Sequence, residues 1–283
     1  MLNRVRINIL VLPVVILATS LGYQITSMLS LNVPLRGNFT FARTPTSILA
    51  PPHSGSILWS ADMETRDLSQ WSLPDVPGGP NVGGGIFNSG NASAIAGGVA
   101  HSGNYSAKLS IETPSTPTSG TRLFRWKESQ TYPQLYYSAW YYFPRRYIPD
   151  GSPSWWNVFQ WKSRHPAGND PFFALNVGNR ANGPMYFYLY DQNTKTSYGQ
   201  TLAVTPEQRW VRLEAFYVCA GDSTGHVTFW QDGVQILDIP NVQTRHPDGD
   251  CQWSLNNYSS SLRPSTATIY VDDAAICLGG RCP

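Results

Sequence analysis

The sequence predicts an all-β chain folded as an antiparallel β-sandwich, a jelly roll. Three observations carry this expectation. Short runs rich in aromatic and β-branched residues recur along the chain, separated by Pro, Gly, Asp and Asn breakers. Beyond residue 22 no long stretch keeps a 3.6-residue apolar period. Asp232-Gly233, set between the runs Val227–Trp230 and Val234–Asp238, is a strong hairpin signal.

Residues 1–22 read as a targeting segment, because Arg4 and Arg6 precede an uncharged apolar run from Ile7 to Gly22. Ala18-Thr19-Ser20 offers small residues for cleavage, but no A-x-A site is present. A cleaved signal peptide and an uncleaved N-terminal membrane anchor both stay open, and either places the rest of the chain outside the cytoplasm, secreted or membrane-anchored. Residues 23–56 are Pro-, Ser- and Thr-rich and read as a linker. Residues 57–283 suit one β domain.

That domain opens with a strand at Ile57–Ser60. The Gly- and Asn-rich stretch from Pro77 to Gly98 reads as a loop, since no helix pattern follows Gly83-Gly84-Gly85. Ala107, Leu109 and Ile111 alternate with Lys108, Ser110 and Glu112, which is the period of a half-buried strand. A loop from Thr113 to Gly120 leads to a strand at Arg122–Lys127. Aromatic runs at Leu135–Pro144, Trp155–Arg164 and Pro171–Arg180 follow, then Met185–Tyr190, Trp210–Val218, the hairpin and a last strand at Thr268–Asp272. Within the second aromatic run, alternation puts Gln160, Lys162 and Arg164 on one face of a strand otherwise filled with Trp and Phe. Flat apolar surfaces beside polar groups suit sugar rings.

Cys219, Cys251, Cys277 and Cys282 are even in number and lack the C-x-x-C spacing of a metal site. Of the three pairings, Cys219–Cys251 with Cys277–Cys282 is preferred, because Leu278-Gly-Gly-Arg281 makes a flexible turn. Asn38, Asn91, Asn104 and Asn257 each begin an N-x-S/T tripeptide. The formal charge is +2 and vanishes without Arg4 and Arg6. A neutral domain argues against nucleic-acid partners, so an acidic ligand must meet a local basic cluster. H-E-x-x-H, G-x-S-x-G and P-loop patterns are absent, as is the paired-acid pattern of retaining glycoside hydrolases.

The order Arg122-Leu-Phe-Arg125, Tyr137-Ser-Ala-Trp-Tyr-Tyr-Phe-Pro144, Val158-Phe-Gln-Trp-Lys162, Pro171-Phe-Phe-Ala-Leu175, Trp210-Val-Arg-Leu213 and Gly225–Gly233 resembles the heparin-lyase-I-like polysaccharide lyases. The likeness spans most of residues 57–278 and implies a concanavalin-A-like jelly roll. It also implies β-elimination on a uronate-containing polysaccharide, which needs a donor facing the carboxylate, a base and an acid. By resemblance, Gln160 steadies the carboxylate, Arg122 matches the family's upstream Arg, and Tyr258 supplies a proton-transfer hydroxyl. Arg125 lies on the opposite local face and is placed with Arg164, Tyr137, Trp156, Asn176 and Tyr188 among substrate-binding candidates. Lys162 stands where the family commonly has His, and a Lys is a base only if burial or a neighbouring cation depresses its pKa. His165 lies off the Gln160 face.

Plainer readings stand beside these. Lys162 and Arg164 suit a solvated face, Trp155, Trp156 and Trp161 suit a core, and Tyr258 sits in a Ser- and Asn-rich stretch that reads as a loop. His226 and His246 read as ordinary strand and loop residues. A non-catalytic carbohydrate-binding or adhesion domain on the same scaffold is therefore the alternative. No cofactor is required; Glu64 and Asp272 resemble the terminal-strand pair that holds a structural Ca²⁺ in jelly-roll carbohydrate-binding modules, with turn capping as the other reading. The expected partner is an acidic polysaccharide and the expected state a monomer.

Overall fold

The computed structural model describes residues 39–41, 55–72, 83–113, 119–180 and 183–283. The signal or anchor reading of residues 1–22 and most of the linker fall outside them. Eighteen strands run in order: β1 (Phe39–Phe41), β2 (Ser56–Ala61), β3 (Gly84–Ser89), β4 (Ser93–Gly97), β5 (Ser106–Glu112) and β6 (Ser119–Arg125). Next come β7 (Gln134–Tyr142), β8 (Ile148–Pro149), β9 (Trp156–His165), β10 (Gly168–Asn179), β11 (Met185–Asp191) and β12 (Thr196–Gly199). The last are β13 (Trp210–Val218), β14 (Gly225–Gln231), β15 (Val234–Val242), β16 (Asp250–Ser259), β17 (Leu262–Arg263) and β18 (Thr266–Leu278).

One sheet has the order β1-β12-β11-β10-β9-β16-β6-β3, and the other β15-β14-β13-β7-β18-β5-β4 with β2 also paired to β18. All pairings are antiparallel except β1 on β12. The expected antiparallel sandwich is what forms.

The core lies between the sheets and is largely aromatic. Trp161 of β9 stacks flat on Tyr217 of β13, ring centroids 4.1 Å apart, and meets Tyr137 of β7 edge-on at 5.4 Å. Phe159 against Phe229 of β14, and Trp253 of β16 against Tyr137, complete the contact between the layers. Aromatic pairs add about 0.5–1.5 kcal/mol beyond burial alone.

Two predicted loops are strands. β3 and β4 lie in the Gly- and Asn-rich stretch, and β16 runs through the Ser- and Asn-rich one as a central strand between β9 and β6. Local composition argues for loops there, but pairing on both sides outweighs it, since strand preference depends on neighbours. Arg122–Arg125 lie in a strand that begins earlier, at Ser119, and β18 extends to Leu278 rather than Asp272.

The disulfides join Cys219 to Cys251 and Cys277 to Cys282, as preferred. Asn257 is fully buried, donating to Leu109 O and Ala267 O and accepting from Trp156 Nε1, so its tripeptide is no glycan acceptor. Glu64 and Asp272 hold the turn 101–105. Glu64 Oε1 accepts from Asn104 N and Tyr105 N, and its Oε2 accepts from Asn104 Nδ2. Asp272 Oδ2 accepts from His101 N and Ser102 N, and its Oδ1 from Asp273 N. Every oxygen of the pair thus faces an N–H donor. In this structure both carboxylates cap the turn that follows β4.

Replacing Trp161 by Ala removes the ring that ties the two layers together. With both disulfides intact, denaturant unfolding should report a loss of about 3–5 kcal/mol.

Candidate active site

Because Phe159 and Trp161 point into the core, alternation turns Gln160, Lys162 and Arg164 to the outer face of the first sheet. The same rule applies to β16, whose Trp253 and Leu255 are inward. Its Gln252 and Ser254 lie opposite Lys162 and Gln160, and Asn256 lies opposite Arg122 of β6. On the other side β10 brings Asn176, and β11 brings Tyr188 opposite it.

A bulge at Val158 alters this pattern. Leu175 and Leu255 both pair with Phe159, yet the next partners on each side, Asn176 and Tyr258, pair with Asn157. The extra residue switches the parity, so Trp156 and Phe159 both face inward while Asn157 joins Gln160 outside. Buried Tyr141, from the opposite sheet, donates to Val158 O at 2.7 Å and fixes the bulge.

The result is a recessed polar floor. Gln160, Asn176, Asn157 and Asn256 are each 4% exposed or less although they face outward, so longer neighbours wall them in. Asn256 Nδ2 donates to Asn157 Oδ1. Gln160 Oε1, Asn157 Nδ2, Asn256 Oδ1 and Arg122 Nε are buried without a hydrogen-bond partner. Such groups each cost about 1–3 kcal/mol unless a partner arrives. Four of them lie together on this one face.

Over this floor stand the ionisable groups. Arg122 lies 4.5 Å from the centroid of the Tyr258 ring and hydrogen-bonds Tyr258; burial lowers its pKa, and the tyrosine opposes that. Burial, and after it the charge of Arg122, holds the Lys162 ammonium down to about 8, with Asp170 pulling the other way. Lys162 Nζ donates to Asn169 O at 3.4 Å. Arg164 stacks at 3.9 Å over Trp126. Burial raises the Tyr188 hydroxyl well above its ordinary value, keeping it a neutral donor. Arg122, Lys162 and Arg164 thus gather three basic side chains along one face of a nearly neutral chain.

Gly120 makes room for this arrangement. It lies opposite Tyr258, and a Cβ there would sit 1.7 Å from Tyr258 Cδ2. Any side chain at 120 would push the ring off Arg122.

The structure brings Gln160, Lys162, Arg122, Tyr258, Asn176 and Tyr188 to one face, with Arg164 beside them. Three expected substrate contacts do not reach it. Arg125 is buried on the inner face, paired with Glu128 and lying 4.7 Å from the Trp59 ring. Tyr137 packs between Trp161 and Trp253, and Trp156 between Phe143 and Tyr147, both in the core. His165 is off the Gln160 face, as alternation requires. Asn157, Ser254, Gln252 and Asn256 were missed by sequence reasoning. The last three had a readable signal, because Gln252-Trp-Ser-Leu-Asn256 alternates polar with apolar. Asn157 had none, since the bulge that exposes it leaves no mark in composition.

A two-layer antiparallel sandwich with amides and cations gathered on one outer sheet face is the build of a jelly roll. Residues 65–275 match the family described as polysaccharide lyase, and the chain belongs to that family. Endo-β-1,4-glucuronan lyase from the fungus Trichoderma reesei has a similar structure, with TM-score 0.57 and 14% identity over 78% of this chain and 95% of that one. An alginate lyase from Chlorella virus has TM-score 0.49 and 9% identity, covering 78% and 99% of the two chains. A marine alginate lyase from Aplysia kurodai has TM-score 0.44 and 14% identity, covering 78% and 98%. At 14% identity the likeness to the glucuronan lyase is one of fold. No curated protein sequence matches the chain.

Gly120→Ala should displace the Tyr258 ring while leaving the core untouched. Crystallography of the variant should show Tyr258 swung away from Arg122, with far-UV circular dichroism unchanged.

Proposed function

We propose that this protein cleaves a uronate-containing polysaccharide by β-elimination, using the cleft over Gln160. The observation that carries this reading is Lys162. It shares a face with Gln160, Arg122 and Tyr258, and its pKa near 8 leaves an appreciable neutral fraction at mildly alkaline pH. A neutral Lys162 amine takes the proton from the carbon bearing the uronate carboxylate. The electron pair left behind forms the new ring double bond as the glycosidic carbon–oxygen bond breaks. The Tyr258 hydroxyl gives its proton to the departing oxygen. Arg122 and the amides of Gln160, Asn157 and Asn256 face the carboxylate and stabilise the charge that builds on it. Pre-placed donors of this kind are worth most because they need no rearrangement during the reaction.

The likeness to the heparin-lyase-I-like branch belongs to this proposal, as do the acidity of the polymer and the monomeric state. An extracellular location is likewise part of it. Both disulfides suit an oxidising compartment, and no helix among the described residues is long and apolar enough to cross a membrane.

Purified protein incubated with glucuronan, alginate, heparin and chondroitin should produce the ultraviolet absorbance of an unsaturated uronate on at least one of them. Lys162→Arg, whose cation does not deprotonate, and Tyr258→Phe should each lower the rate by about 10²–10⁴. A flat signal on every polymer, with retention on one of them, would replace this reading by a carbohydrate-binding domain.

The pH profile separates Lys162 as base from Lys162 as counter-ion. As base it must be neutral, so kcat/KM should climb with pH and level off above about 8. As counter-ion it must be charged, and the profile would fall through the same region.

A further inference from the structure

Away from the amide floor, three side chains from separate segments converge on one point. His165 ends β9, Asp170 lies near the start of β10, and His246 sits in the connection between β15 and β16. His165 Nε2 and His246 Nε2 each lie 3.0 Å from Asp170 Oδ2, and the two imidazole centroids are 4.3 Å apart. All three ligand atoms fall within 4.8 Å of one another, and no other trio of this kind occurs among the described residues.

We propose that His165, Asp170 and His246 bind a divalent transition-metal ion of the Zn²⁺ class. Zinc holds nitrogen and oxygen ligands at about 2.0–2.2 Å, which sets tetrahedral neighbours roughly 3.3 Å apart. The two 3.0 Å separations are close to that spacing, so small rotations of the imidazoles open the site without moving the backbone. Two imidazoles and one carboxylate select a borderline cation over Ca²⁺ or Mg²⁺, which prefer all-oxygen sets.

The scaffold around the trio is built rather than incidental. His246 N donates to Ser163 Oγ at 2.9 Å, and Arg245 Nη1 donates to His246 O at 2.8 Å and Pro247 O at 2.7 Å. Gly249 presses so closely on β9 that a Cβ there would come 2.3 Å from Ser163 Oγ. Phe172 meets the His246 ring edge-on at 4.9 Å. His165 and Asp170 are held across the tight β9–β10 hairpin, and the Cys219–Cys251 disulfide anchors the strand that follows the His246 loop. Asp170 and His246 also border a surface hollow of about 340 Å³ with Phe172, Asn193 and Lys195. With three protein ligands, two of them bordering the hollow, a coordination position is left for water or a small anion, the arrangement of an open zinc site. The metal would clip the 243–249 loop onto the β9–β10 hairpin. None of this depends on the lyase reading.

Full-length protein, stripped of metal with a chelator and then titrated with Co²⁺, tests the site. One equivalent should give a visible d–d band that Zn²⁺ abolishes, and Zn²⁺ should raise the Tm. Asp170→Asn keeps the shape of a side chain that is 57% exposed, so it leaves the fold intact. It should weaken Zn²⁺ binding by more than about 10-fold, since even partners one shell further out are worth that much. His246→Ala should remove the cobalt band altogether. Absence of both the band and the Tm shift in the unsubstituted protein would overturn the proposal and leave a hydrogen-bonded His–Asp–His clamp. Binding by Asp170→Asn equal to that of the parent would overturn it too, by placing the metal elsewhere.

Discussion

Trp161 lying flat on Tyr217 decides which way β9 faces. A strand has two faces, and a slip of one residue would exchange them entirely. The contacts of Phe159 and Trp161 with Phe229 and of Trp253 with Tyr137 between the sheets forbid that slip, because it would put Gln160 and Lys162 among rings with no polar partner. The cleft chemistry is thus held by residues that never touch its floor. Tyr141 extends the same control across the core by gripping the carbonyl at the bulge.

The outer face concentrates what the chain as a whole lacks. A net charge near zero hides three cations along one track, and each is tuned by its surroundings. Arg164 is shielded by Trp126, Arg122 is braced by Tyr258, and Lys162 is weakened as an acid-holder by burial and by Arg122. The unpartnered amide atoms beneath them represent folding energy left unrecovered. A ligand able to satisfy them gains specificity from the same groups that make the unliganded protein less stable.

Much of this was legible from residue order. Alternation in Val158–Lys162 puts Gln160 and Lys162 together, and it separates Arg122 from Arg125 correctly. Cysteine spacing yields both disulfides. Failures came where three-dimensional pairing overrides local composition. The Asn- and Ser-rich run around Tyr258 looks like a loop until β9 and β6 flank it. Tyr137 and Trp156 look like sugar-stacking residues because aromatic content alone does not say which sheet face is inward. That Glu64 and Asp272 cap the turn 101–105 shows only once β18 and the segment after β2 come together. His246 looks ordinary because the loop that carries it meets β9 only after folding.

The bare Gly120 surface beneath Tyr258 ties two distant codons together. While an aromatic ring occupies 258, any residue but glycine at 120 forces that ring to move. Once the ring is lost, 120 is free to drift. Exchange at the two positions is therefore ordered by sterics. A chain that trades this tyrosine for a smaller residue and then fills position 120 meets the same clash on regaining the ring, so the way back runs through both sites.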